Sequence, residues 1–109
     1  KGKLDSSLHP KQKLTLFRII QEQVNNVIKH AKARKLEIDI SYTNKFTRLE
    51  IKDDGQGFDL NKAKLKDGMG LSNIMSRAAI FNADVQVLTA PGEGCRLIIA
   101  LPNKINQDT

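Results

Sequence analysis

Apolar residues Leu16, Phe17, Ile20, Val24, Val27, Ile28 and Ala31 recur three or four positions apart between Pro10 and Arg34, the period of an amphipathic helix. Pro10 stands where a helix can begin, because the N–H it lacks is one that a first turn leaves unbonded anyway. At about 100° per residue the apolar positions fall on one side, and Glu22, Asn26 and Lys29 fall within about 60° of one another on the opposite side. The basic run Lys29, His30, Lys32, Arg34 and Lys35 complements the negative end of that helix's dipole.

The period then changes from helical to alternating. Leu36, Ile38, Ile40 and Tyr42 alternate with Glu37, Asp39 and Ser41, and after Thr43-Asn44-Lys45 the segment from Phe46 to Asp53 alternates again around Leu49 and Ile51, which predicts a half-buried hairpin. Asp53-Asp54-Gly55-Gln56-Gly57 ends the second strand, and the Lys-rich stretch from Asn61 to Asp67 reads as a polar loop and a candidate lid. Leu71, Ile74, Met75, Ala78 and Ala79 predict a second helix, with Asn82 placed to stop it. Val85 to Thr89 and Cys95 to Leu101 read as two more strands joined by Ala90-Pro91-Gly92-Glu93-Gly94. Because Leu97-Ile98-Ile99-Ala100-Leu101 is apolar on both faces, that strand is expected to be central. Hairpins without strict strand-helix alternation favour an α+β fold, one sheet with helices packed on one side.

At 109 residues the chain fits a single domain with one two-layer core. We expect residues 1–10 to be a linker, 11–102 the domain and 103–109 a polar tail, and the first residue, which is not Met, suggests a fragment of a longer protein. No apolar run approaches the roughly 20 residues that span a bilayer, so direct membrane contact is not expected. Whether a parent chain is membrane-anchored is left open. A lone Cys95 excludes an internal disulfide and a multi-cysteine zinc site, and fits a cytoplasmic, reducing location. The net charge of +6 would suit nucleic acid, but with one Tyr and no Trp the chain lacks an aromatic stacking platform. Solvated lysines explain the charge equally well, and nucleic acid is not an expected partner.

Candidate chemistry gathers at three glycine pairs, Gly55/Gly57, Gly68/Gly70 and Gly92/Gly94, which follow the helix carrying Glu22, Asn26 and Lys29. Glycine lets backbone approach a ligand closely, so these clusters suggest loops around a nucleotide. A triphosphate brings Mg²⁺, which prefers oxygen ligands, and the Asn26 amide could supply one. Glu22, one turn earlier, could hold a metal-bound water, and Lys29 and His30 could meet phosphate charge. Asp53, at a strand end before glycines, is placed to accept a hydrogen bond from an exocyclic amine such as that of adenine. Gly68-Met69-Gly70 before a helix would offer N–H groups to an anion. Blander readings stand beside each: a solvated helix face with Glu22 paired to lysine, an Asp-Gly turn, and a simple helix cap. GxxxxGK[ST] is absent, the third glycine of GxGxxG is Asn73, and no protein-kinase HRD is found.

Taken together, Gln21-Glu22-Gln23-Val24-Asn25-Asn26-Val27-Ile28-Lys29-His30-Ala31, Asp53-Asp54-Gly55-Gln56-Gly57-Phe58, Gly68-Met69-Gly70-Leu71 and Gly92-Glu93-Gly94 resemble, in order, the N box and glycine boxes of the ATP-binding domain of sensor histidine kinases. The resemblance covers about residues 14–102 and extends to the wider superfamily of gyrase, chaperone and mismatch-repair ATPases. It implies a two-layer sandwich whose mixed, mostly antiparallel sheet is backed by helices on one face, with ATP and Mg²⁺ as ligands. By resemblance, Asn26 would ligate Mg²⁺ with Glu22 as a metal-shell or polarising group, Lys29 and His30 would face phosphate, and Asp53 would accept from adenine. Gly55 and Gly57 would shape the adenine pocket with Gly94 and Cys95, and Gly68, Gly70 and Leu71 would carry the lid onto the phosphates. Cys95 departs from the Thr or Ser frequent there. His9 precedes Pro10 rather than an acidic residue, so it reads as a linker or cap residue and not a phosphoacceptor. The implied activity is a histidine kinase passing the γ-phosphoryl of ATP to a histidine on a separate dimerisation domain, with a response regulator downstream. The alternatives are a serine kinase of the kind that controls a sigma factor, and a basic binding module with a degenerate pocket.

Overall fold

The computed structural model describes residues 8–59 and 71–103. Helix α1 spans Pro10–Asn26 and continues into a π-helical turn at Val27–Ala31. Strands β1 (Leu36–Tyr42) and β2 (Phe46–Asp53) form the expected hairpin, but only β2 is half-buried as expected: β1 buries no residue, and its Leu36 and Ile38 are exposed. Helix α2 (Leu71–Ile80) then leads to β3 (Asp84–Thr89) and β4 (Cys95–Pro102). The sheet order is β1-β2-β4-β3 with each described pairing antiparallel, so β4 is central as its two-sided apolarity predicts. The fold class is α+β.

The start of α1 shows how local sequence sets an element. His9 is the N-cap: its Nδ1 accepts from the Lys11 N–H at 3.3 Å, and Gln12 Oε1 accepts from the His9 N–H at 2.8 Å. This reciprocal capping bonds N–H groups that a first turn cannot bond itself. The packed unit reaches further than the expected domain limits at both ends. Leu8 is fully buried, and Asn103 is buried against the β1–β2 turn, with its amide donating to the carbonyls of Thr43 (3.1 Å) and Asn44 (3.2 Å).

Two expectations about α1 are corrected. The face that α1 lays on the sheet carries Gln12, Leu16, Ile19, Gln23 and Asn26, and Val27 continues it. Phe17 is 57% exposed and Ile28 74% exposed, and Ile20 and Val24 lie at the flank. The helix is rotated away from its most apolar direction because Gln12 and Gln23 find tertiary partners: Gln12 Nε2 donates to the Pro102 carbonyl at 2.9 Å and Gln23 Nε2 to Cys95 Sγ at 3.8 Å. The helix is also shorter than expected. It ends at Ala31, not Arg34, and Lys32 takes a left-handed φ of 52° that breaks it. Asn82, at φ 57°, follows α2 as its sequence position predicts.

Between helices and sheet lie Leu8, Leu16, Ile19, Leu49, Ile51, Ile74, Ala78, Leu97, Ile99 and Leu101. Each buried Leu or Ile contributes about 1.5–3 kcal/mol, so this layer holds α1 rigidly over the β2–β4 pair. That placement sets the last turn of α1 above the adjoining ends of β2 and β4.

Candidate functional site

Asp53 closes β2, Cys95 opens β4, and the two are directly paired across the sheet. Above them run the end of α1 and its π-helical turn, and beside them the glycine-containing loop after β2. These elements enclose a cleft of about 230 Å³ lined by Gln23, Asn26, Val27, His30 and Ala31 from the helix side. Asp53, Gln56, Gly57, Phe58 and Cys95 line it from the sheet side. Asp53 and Asn26, some distance apart in sequence, thus face one cavity.

Asp53 is 5% exposed, and its Oδ1 accepts from the Gly55 N–H at 2.8 Å. A carboxylate has several acceptor sites, and one such bond leaves capacity for a donor on a ligand. The neighbouring Asp54 does different work: its Oδ1 accepts from the N–H groups of Lys35 (2.9 Å) and Arg34 (2.8 Å), which ties the turn before β1 to the end of β2. These bonds, Lys35 first, hold the Asp54 carboxyl below its usual range.

The glycines are used where backbones touch. A Cβ on Gly55 would stand 2.7 Å from the Ala31 Cβ and press on the Ala31 carbonyl. Gly57 has φ +63°, and a Cβ there would lie 2.8 Å from the Gly94 carbonyl. Between them, the Gln56 N–H donates to the Ala31 carbonyl at 2.7 Å and its side chain to the His30 carbonyl. The last helical carbonyls, which a helix end leaves unbonded, therefore anchor the loop. Thr89 links the two glycine turns: Oγ1 accepts from the Phe58 N–H at 3.2 Å and donates to the Gly94 carbonyl at 2.7 Å.

Cys95 is buried at the cleft floor. Burial, and next the negative charge of Asp53, push its thiol up to about 11, so at neutral pH it is a small apolar wall. Asn26, 8% exposed, donates through Nδ2 to Gln23 Oε1 at 3.3 Å. The described residues hold no cluster of three or more His, Cys, Asp or Glu. An amide oxygen still suits Mg²⁺, a hard cation that keeps several waters and takes phosphate oxygens instead of a protein cage.

Of the residues singled out by sequence, Asn26, His30, Asp53, Gly57 and Cys95 line the cleft, and Gly55 and Gly94 shape its walls from behind. Glu22 lines a separate groove with Arg18, Gln21, Asn25 and Arg77, and Lys29 is exposed on the π-helical turn. Leu71 is buried at the start of α2. Gly68, Gly70 and the candidate lid from Asn61 to Asp67 lie outside the described residues. Sequence reasoning missed Gln23, Gln56 and Thr89. Gln56 had a signal, its place between two glycines; Gln23 and Thr89 act through partners distant in sequence.

Residues 11–105 match the family model described as histidine kinase-, DNA gyrase B- and HSP90-like ATPase. The chain belongs to this ATPase family. Among curated relatives it is 33% identical over 100 residues to the signal transduction histidine-protein kinase/phosphatase DegS of Bacillus subtilis, a match covering 90% of this chain and 26% of that protein. Among solved structures, the ATP binding domain of PrrB from Mycobacterium tuberculosis superposes with a TM-score of 0.70 at 20% identity, over 83% of this chain and 68% of that one. The Erythrobacter litoralis EL346 blue-light activated histidine kinase does so with a TM-score of 0.72 at 17% identity, over 87% of this chain and 31% of that one. The chain spans about a quarter of the length of the curated relatives it matches. Membership of the family agrees with the fold class and with the order of the boxes read from the sequence. No helix among the described residues is long and apolar enough to cross a membrane.

Proposed function

We propose that the cleft binds ATP with Mg²⁺ and that the chain is the ATP-binding catalytic module of a sensor histidine kinase. The γ-phosphoryl would pass to a histidine on a separate dimerisation domain, and from there to a response regulator. The observation that carries this reading is the convergence of Asp53 and Asn26 on one cavity walled by the Gly55–Gly57 turn.

In this reading Asp53 accepts from the adenine exocyclic amine, a choice that disfavours guanine, whose carbonyl at that position would meet a carboxylate. Gly57 and Phe58 lie beside the base, Gly55 and Gly94 keep the loop close behind it, and the protonated Cys95 forms an apolar floor. Asn26 offers its amide oxygen to Mg²⁺, which when bound would neutralise phosphate charge. His30 and Lys29 add donors toward the phosphates. Glu22, which lines a separate groove, keeps the metal-shell or polarising part that the resemblance implies. Phosphoryl transfer asks mainly for positioning and charge stabilisation, which this rigid floor and helix end supply. The cytoplasm, where ATP is abundant, is the location this reading requires.

Calorimetric titration with ADP and with GDP, each with and without Mg²⁺, tests the assignment. ADP should bind saturably and GDP should not. Asp53→Asn, which exchanges an acceptor for a mixed donor–acceptor, should weaken ADP by roughly 10- to 100-fold, the scale of a lost buried hydrogen bond of about 1–3 kcal/mol. Equal affinity for both nucleotides, or an unaffected Asp53→Asn variant, would refute it.

A further inference from the structure

Among the described residues β1 pairs on one side only, with β2. The Thr43 N–H donates to the Phe46 carbonyl at 2.8 Å and the Asp54 N–H to the Lys35 carbonyl at 3.4 Å. Bonded pairs alternate along an antiparallel ladder, so between these bonds Glu37, Asp39 and Ser41 turn their backbone groups toward β2. Leu36, Ile38 and Ile40 turn theirs to the open edge. The same three residues put their side chains on the helix side of the sheet. There Ile40 reaches the core, while Leu36 is 38% and Ile38 46% exposed. The strand holds no Pro and no Lys, and its pairing with β2 runs without a bulge from Leu36 to Tyr42, so the usual devices that blunt an edge are missing.

What guards the edge is charge, and it guards selectively. Glu37 and Asp39 project exposed from the other face of the sheet. Asp39 stands directly opposite Glu50, and the two cations beside that pair, Arg48 at 3.1 Å and Arg96 at 2.7 Å, both bind Glu50. A second copy of β1 fits poorly: antiparallel pairing about Ile38 sets Glu37 against Asp39, and pairing about Asp39 sets that carboxylate against itself, which is unfavourable. A strand bearing a cation at that position is favoured by the same rule. We propose that β1 is a docking edge for an extended segment of a partner protein, which adds a strand to the sheet with apolar side chains beside Leu36 and Ile38 and a lysine or arginine opposite Asp39. Main-chain bonds supply the affinity in such strand addition, and the alternate side chains supply the choice of partner. One cation is what the site asks for, because the chain as a whole carries +6 and repels a uniformly basic segment.

The probe is an end-blocked peptide, Thr-Val-Arg-Val-Thr-Val-Thr, titrated into the 109-residue chain without nucleotide and followed in nitrogen–proton correlation spectra. The amide signals of residues 36–40 should shift saturably, and hydrogen exchange at Leu36, Ile38 and Ile40 should slow as their N–H groups gain partners. With Arg opposite Asp39, the peptide's valine N–H groups face β1. Methylating those nitrogens should weaken binding at least about tenfold, the combined scale of several hydrogen bonds of modest net value. Replacing the peptide's Arg by Glu should weaken it by about three- to tenfold, the range for reversing one cross-strand charge pair, and Asp39→Lys in the chain should restore binding of that Glu peptide. The two peptide changes leave the protein untouched, so loss of folding cannot imitate their effect. The proposal is overturned by the absence of saturable shifts at millimolar peptide, by shifts that lie outside β1, or by equal binding of the methylated peptide. It is overturned equally by β1 signals that move with protein concentration alone, since a second copy would then hold the edge.

Discussion

The thiol of Cys95 gives a sharp test of the cleft floor, because the chain contains one cysteine and every covalent change can be assigned to it. The perturbation is pH. Burial and the adjoining Asp53 raise the thiol from 9.0 to about 11. At pH 8 about one folded molecule in a thousand carries the thiolate, against about one in ten for an ordinary thiol, and the thiolate is the reactive form. Iodoacetamide labelling followed by intact mass should therefore be roughly a hundredfold slower in the folded chain than in the chain unfolded in urea. Its rate should climb through pH 10 without levelling. The same displacement links to stability. A thiol raised on folding contributes fully below its unfolded value, and the contribution is lost as pH rises from about 9 toward 11. Two units correspond to about 3 kcal/mol, to be read as the difference between the unaltered chain and Cys95→Ala in urea unfolding across that window. A labelling midpoint at or below 9, or no divergence of the two stabilities, would refute both the burial and the part assigned to Asp53.

Two further substitutions probe the elements that hold the cleft. Gly57→Ala should destabilise by about 1–3 kcal/mol, since φ +63° disfavours a side chain and its Cβ would meet the Ala90 and Gly94 carbonyls; a melting temperature equal to that of the unaltered chain would contradict the close approach. Asn103→Ala should cost about 1–3 kcal/mol in urea unfolding, because Thr47 Oγ1, fully buried, donates to Asn103 Oδ1 at 2.8 Å and would be left unpaired. A loss within about 0.5 kcal/mol, the usual range for a neutral surface change, would place Asn103 outside the folded unit.

Much of the fold was legible because the local pattern and the tertiary demand agree. Leu49 and Ile51 alternate in sequence and point inward in β2, and Leu97 to Leu101 is apolar on both faces and lies at the sheet's centre. The candidate site was legible where its chemistry is local: Asp53 before glycines, and Asn26 on the helix. The burial face of α1 was not, because periodicity selects the most apolar direction while the fold chose the direction in which Gln12 and Gln23 meet Pro102 and Cys95. Those partners lie 90 and 72 residues away in sequence, beyond any window that measures amphipathicity. Phe17 and Ile28 were misplaced for the same reason. Asn103, polar and near the end of the chain, reads as tail until the carbonyls it meets in the β1–β2 turn are known.

The wide turn at Val27–Ala31 has a consequence for comparing this chain with others. A π-helical segment carries more residues per revolution than the α-helix before it, so beyond Asn26 angular position no longer follows a constant step. Lys29 and His30 are consequently displaced around the axis relative to where counting from Glu22 puts them. Aligning such helices by uniform periodicity will equate side chains that point in different directions, and a one-residue gap placed after Asn26 is the correction that geometry asks for.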